Sequence, residues 1–325
     1  MGDNYTRNIA LEVSKGGIVD KVEFYAEITI NIILMCLIIP SNTVVIVAPY
    51  FWRKLRSPDN ILIVNLAVAD LMTGTLTIGI ITLSRLSEYM FTVLRDTRFM
   101  CVVFKVVFKY LSSGVSLYTL NVMNIERYFA IKEPLLHSQR FGFKTVKCLV
   151  LCIWIYAFVI TGIAFYFSEL DYSIKSLATR CTMIRIMPRW WLIYNSIIVL
   201  MCLVIGILSS MFIIKVVRRH VDMNNMRNSV SLKQMEDLKK SVNISVYLML
   251  ISTILWSTNA VAIVFFLLHS ERSGYTWFLF RWIPLCLNAG LNAPVYAYIR
   301  KNNRKAYKFL LTSWPWHWNR LQGVS

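Results

Sequence analysis

Apolar residues in this chain gather into seven long runs, at about 24–50, 60–84, 101–131, 146–168, 190–217, 240–268 and 276–299. Each comes close to or exceeds the roughly 20 residues that a helix needs to cross a hydrocarbon core. Short polar or basic segments separate them. The pattern predicts an all-α membrane protein, a seven-transmembrane helix bundle over residues 22–299. A polar segment, 1–21, precedes it, and a tail, 300–325, follows with a short amphipathic eighth helix.

Composition agrees. Of 325 residues, 57% are hydrophobic and only 16% charged, against about 45–50% and about 25% in soluble domains. The net charge of +18 invites a nucleic-acid reading, but the location of the basic residues argues against one. Arg53, Lys54, Arg56, Arg140, Lys144, Lys147, Arg218 and Arg219 follow the first, third and fifth runs, as the positive-inside rule expects of cytoplasmic loops. The opposite segments mix signs, with Glu88, Arg95, Asp96 and Arg98 in one and Glu169, Asp171, Lys175, Arg180 and Arg185 in another. The N-terminus is therefore expected outside, where Asn4-Tyr5-Thr6 forms a glycosylation acceptor pattern. The C-terminus is expected in the cytoplasm, where the basic segment 300–311 and the "SWPWHW" that follows suit a helix lying against membrane lipid.

Cys36, Cys148, Cys152, Cys202 and Cys286 fall within apolar runs and read as small buried thiols. Cys101 and Cys181 flank such runs on the outer side and are candidates for one disulfide.

Polar side chains inside a bilayer are costly and mark functional sites by default. Here they form a pattern: Asn42, Asp70, the third-run stripe Lys105, Lys109, Ser112, Ser116 and Thr119, then Asn259 beside Trp256, and Asn288 one turn from Asn292. Steps of three and four put the stripe on one helical face. The expected arrangement is a polar centre in which Asp70 meets Asn42, Ser116 and Asn292. A carboxylate there either takes a proton or holds a cation. Sodium is the candidate, with Asp70, Ser116, Asn288 and Asn292 around it. The plainer reading is a packing cluster that orients the helices. At the inner end of the third run, adjacent Glu126 and Arg127 form either a latch between two helix packings or an ordinary interfacial pair worth under about 1 kcal/mol.

These residues carry a resemblance. "NTVVIV" with Asn42, "LIVNLAVADL" with Asp70, "NIERYFAI" with Glu126, Arg127 and Tyr128, Trp154, Trp256, the stretch Asn292 to Tyr296, and "RKAY" at 304–307 together resemble the rhodopsin-like (class A) G-protein-coupled receptors. In appearance the chain is closest to the amine, adenosine and melatonin branch. The resemblance implies a Cys101–Cys181 disulfide and a resting state in which Glu126 holds Arg127. It also implies a plasma-membrane receptor that binds an extracellular small ligand and activates a heterotrimeric G protein by outward movement of the sixth helix. Trp256, Asn292 and Tyr296 then act as switch residues.

The chain departs from that family in places. Ala293 stands where the seventh-helix motif has proline, with Pro294 one residue later. Thr258 stands where the sixth helix has its proline, runs four and five lack theirs, and Leu238 occupies the inner acidic position of the sixth helix. Amine receptors hold the ligand ammonium with a third-helix aspartate. That position is Lys109 counted from Arg127 and Phe108 counted from Cys101. With Lys105 and Arg281, Lys109 suggests a pocket for an anionic ligand that also draws on Ser112, Trp256 and Asn259; the alternative pairs the lysines with Glu23, Glu27 or Glu88. An opsin is disfavoured, since run seven has no lysine for a retinal Schiff base.

Three other classes compete. A transporter or channel explains the polar centre but calls for internal repeats, and none is seen. An enzyme needs a catalytic constellation, whereas His137, His220, His269 and His317 are dispersed in loops and tail. A receptor fold with weak or no coupling, a decoy or heteromer partner, is the main rival.

Overall fold

The computed structural model describes residues 2–86, 103, 107–168, 187–227, 246, 249–262, 264, 282–299 and 304–309. Within them the chain forms seven long helical segments. The first helix is Gly2–Phe51. The second starts as Pro58–Met72, passes through a π-helical stretch, Thr73–Gly79, and continues as Ile80–Leu86. The third is Phe108–Lys132, the fourth Phe143–Tyr166 and the fifth Arg189–Arg227. The sixth is Met249–Ala262 and the seventh Ile283–Ile299. An eighth, short helix covers 304–309.

Phe24–Phe51, Pro58–Leu83, Phe143–Tyr166 and Arg189–Arg219 are each long and apolar enough to cross a membrane. The 25-residue third helix is long enough too, and its lower hydropathy reflects the polar stripe. Helix starts follow local chemistry. Pro58 and Pro134 sit in the first turns of their helices, where proline's missing N–H costs nothing. Gly142, with extended backbone, precedes the fourth helix.

Two boundaries differ from expectation. The first helix runs back to Gly2, so polar residues before 22 are helical, and the fifth runs on to Arg227, past the apolar run's end at 217. A helix needs no apolar surface to continue once propagation is under way; hydropathy marks where lipid ends.

The third helix is central, packed against the second, fourth and fifth, while the first packs against the second and seventh. The bundle buries apolar clusters together with a set of polar side chains, and its outer faces are apolar. Leu151, Ile155, Phe158 and Val159 of the fourth helix and Leu200, Met201, Met211 and Phe212 of the fifth are exposed. Asn42, Asp70, Lys109, Ser112, Ser116, Thr119, Asn259, Asn288 and Asn292 are buried. That polarity is the expected one for a bundle solvated by lipid tails. It corrects the cysteine reading: Cys36, Cys148 and Cys152 are exposed on outward faces, Cys202 is half-buried and only Cys286 is buried.

Candidate functional site

Three side-chain ties align the helices around the polar centre. Asn65 on the second helix donates to Thr119 Oγ1 at 2.8 Å, and its Oδ1 accepts from Trp154 Nε1 at 2.8 Å. One amide thus joins the second, third and fourth helices. Thr73 Oγ1 lies 2.9 Å from Ser112 Oγ, a second link between helices two and three. Trp282 Nε1 donates to Asn31 Oδ1 at 2.9 Å, joining seventh to first. Interhelical bonds of this kind average roughly 0.6 kcal/mol in a membrane bundle, so they set register more than total stability.

At the centre, Asp70 is fully buried and its Oδ2 accepts from Asn292 Nδ2 at 2.8 Å. Its other oxygen, Oδ1, has no hydrogen-bond partner, and neither has Ser116 Oγ, although Ser116 lies close enough to act on the carboxylate. Beside them is a cavity of about 10 Å³, lined by Asp70, Thr73, Ser116, Trp256 and Asn288 among others, about the space that one water-sized occupant needs. The predicted Asp70–Asn292 and Asp70–Ser116 proximities are present. The predicted Asn42 contact is not. Asn42 Nδ2 instead donates to Ile38 O of its own helix at 2.9 Å and to Ala289 O of the seventh at 3.3 Å. A seventh-helix carbonyl is available at the level of Asn42, and the amide takes it instead of reaching across to the carboxylate.

The stripe Lys109, Ser112, Ser116 and Thr119 is buried as one face of the third helix. Lys109 Nζ sits 4.9 Å from the centroid of the Trp282 ring, within range of a cation–π attraction. Trp256 and Asn259 are both buried on the sixth helix. Lys105, Arg281, Cys101, Cys181, Leu238, Glu88 and the tail beyond 309 lie outside the described residues, as do the side chains of Asn4, Glu23 and Tyr296.

The C-terminal end of the third helix holds a cluster that the sequence showed only in part. Arg127 Nε is 3.3 Å from Glu126 Oε2, as expected. Its Nη2 is also 3.1 Å from Asp59 Oδ2 on the second helix. Glu126 Oε1 lies 2.7 Å from His137 Nε2. His137 belongs to a helix of the loop, Pro134–Arg140, and stacks on Phe141 with centroids 5.3 Å apart. His137 thus lies in the loop as expected, whereas His220, expected in a loop, falls within the fifth helix, Arg189–Arg227. Tyr128 turns the other way, towards Phe212 of the fifth helix at 6.3 Å.

Where the hinge prolines are missing, hydroxyls attack the same backbone. Thr253 Oγ1 donates to Met249 O at 2.7 Å, Ser257 Oγ to Ile254 O at 2.8 Å and Thr258 Oγ1 to Leu255 O at 2.7 Å. Such back-bonds weaken and bend a helix. The seventh helix continues through Pro294.

The site is thus a seven-helix bundle with a buried carboxylate at its centre and an arginine held by two carboxylates at the C-terminal end of its third helix. The sequence profile of the 7 transmembrane receptor (rhodopsin family) matches residues 41–296. The chain belongs to this family: it is a rhodopsin-like (class A) receptor, a multi-pass membrane protein and not an enzyme. It is 32% identical over 132 residues to octopamine receptor 1 of Lymnaea stagnalis, covering 39% of this chain and 20% of that one. It is 27% identical over 168 residues to the alpha-2B adrenergic receptor of Talpa europaea, covering 52% and 41%. With the trissin receptor of Drosophila melanogaster it shares 29% over 153 residues, covering 47% and 22%. The matched part thus spans less than half the length of each of these relatives.

Proposed function

We propose that this chain is a cell-surface receptor, N-terminus outside and C-terminus cytoplasmic, that binds an extracellular small ligand. In this reading it activates a heterotrimeric G protein by outward movement of the sixth helix. The observation that carries this is Arg127, a cation at the inner end of the central helix held by Glu126 and Asp59. A ligand that favours the conformation in which Arg127 is released shifts the population towards a partner-binding inner face. The expected result is faster nucleotide exchange on at least one of a panel of purified heterotrimers when the receptor is present in nanodiscs. No acceleration with any of them overturns the reading. It then favours a silent receptor, a decoy or heteromer partner, which the double clasp on Arg127 and the missing prolines already suit.

Asp70 holds a sodium ion in this reading. The donor set is all oxygen, with Asp70 Oδ1 and Ser116 Oγ unpartnered beside the cavity, and hard oxygen donors suit hard cations.

Relatives named for octopamine and adrenergic ligands point towards amines, yet buried Lys109 puts a positive charge in the outer half of the third helix. The ligand class we favour is therefore anionic, bearing a carboxylate, phosphate or sulfate that Lys109 binds. Once an anionic agonist is in hand, Lys109→Ala at matched surface expression is expected to lower its potency about tenfold or more, the scale of a charge-assisted hydrogen bond. An unchanged response removes Lys109 from the pocket.

A further inference from the structure

Arg127 is bracketed by two carboxylates, Asp59 of the second helix and Glu126 beside it on the third. Asp59 is the second residue of its helix, following Pro58. An acid in a helix's first turn has a local explanation, attraction to the helix N-terminus. That explanation does not account for its Oδ2 lying 3.1 Å from Nη2 of Arg127, 68 residues away in sequence. Glu126 is 2% exposed and uses both carboxylate oxygens, one on Arg127 and one on His137. The His137 ring is itself fixed by Phe141, which leans on Phe129 of the third helix at 5.9 Å.

We propose that Asp59 is the positioning residue that closes the latch on Arg127, and that His137 orients Glu126 as its other jaw. The second helix, the third helix and the loop helix then form one clasp. The second and third helices are tied together by Asn65–Thr119 and Thr73–Ser112, which keeps Asp59 and Glu126 in register around Arg127. A partner that draws Pro134–Arg140 away takes His137 from Glu126 and loosens the jaw beside Arg127.

The test reads the guanidinium directly. Full-length receptor in nanodiscs is treated with phenylglyoxal, an arginine-selective dicarbonyl, and the rate of modification at Arg127 is followed by peptide mass spectrometry. Asp59→Asn is expected to speed modification about fivefold, the opening that one partly exposed ion pair holds back. His137→Phe, which keeps the stack on Phe141 but loses the bond to Glu126, gives a smaller rise. Asp59→Glu stays near the wild-type rate, a recovery that a merely structural role for the position does not predict. Arg304, exposed on the eighth helix, serves as the internal control for an intact fold. Should Asp59→Asn fail to fold, Asp59→Ser asks the same question. Wild-type rates at Arg127 in every folded variant overturn the proposal. The labelling needs no G protein, so its failure and a failure of coupling are separate results.

Discussion

Replacing Arg127 by alanine is expected to bring basal second-messenger output down to that of cells lacking the receptor, at unchanged surface level. The two halves of that expectation have different physical grounds. Surface level is preserved because Arg127 contributes little to folding through its partly exposed pair with Asp59. Its side chain is 17% exposed and that of Asp59 30%, and pairs so placed contribute at most about 1 kcal/mol. Its removal also does not leave Glu126 bare, since His137 remains 2.7 Å away. Output is lost because Arg127 is the only arginine of the third helix, Phe108–Lys132. Lys132 is spoken for, its Nζ 3.5 Å from Glu133 and over the Tyr128 ring, and a lysine lacks the bidentate geometry of a guanidinium. Basal output that persists in Arg127→Ala removes the arginine from coupling.

The second large effect is expected at Asp70. Thermal unfolding of the wild-type receptor is measured in sodium chloride and in choline chloride at equal ionic strength. A cation that binds only the folded bundle stabilises it by about 1.4 kcal/mol at ten times its dissociation constant, which raises the midpoint by a few degrees. In Asp70→Asn the two midpoints coincide. Asparagine nearly matches aspartate in shape and keeps an oxygen for Asn292 Nδ2; the lost charge is the only large change. If wild type shows no difference between the salts, the cavity beside Asp70 does not hold sodium. If the mutant keeps the difference, the ion sits elsewhere.

How much of this could be read from residues alone depends on the range of each contact. The seven spans are set by hydropathy over about 20 residues, a local property, and they emerged with only their ends displaced. The stripe Lys109, Ser112, Ser116 and Thr119 is equally local, since helical periodicity alone puts those residues on one face. Asp70 and Asn292 are 222 residues apart, and only the cost of burying both made their meeting foreseeable. Asn42 obeyed the same cost but met it with a backbone carbonyl, an acceptor present everywhere and so invisible to residue patterns. Asp59 sits in the first turn of its helix behind Pro58, and nothing near it in sequence announces Arg127. The outward-facing Cys148 and Cys152 were missed because lipid and protein core are alike apolar, so hydropathy does not separate the two sides of a span.

The π-helical stretch at Thr73–Gly79 carries a consequence for how the C-terminal end of the second helix can diversify. A π turn accommodates an extra residue within an otherwise α-helical course. Everything beyond it, including buried Thr82 and exposed Leu83, is rotated relative to a count made from Asp70. The outer face of the second helix is thus set by chain length as well as by residue identity. One deletion in the stretch re-aims a whole turn while leaving Asp70 and Asn65 in place below it. A family member can in this way exchange the surface that this end of the helix presents in a single genetic step, and the polar centre has no need to change with it.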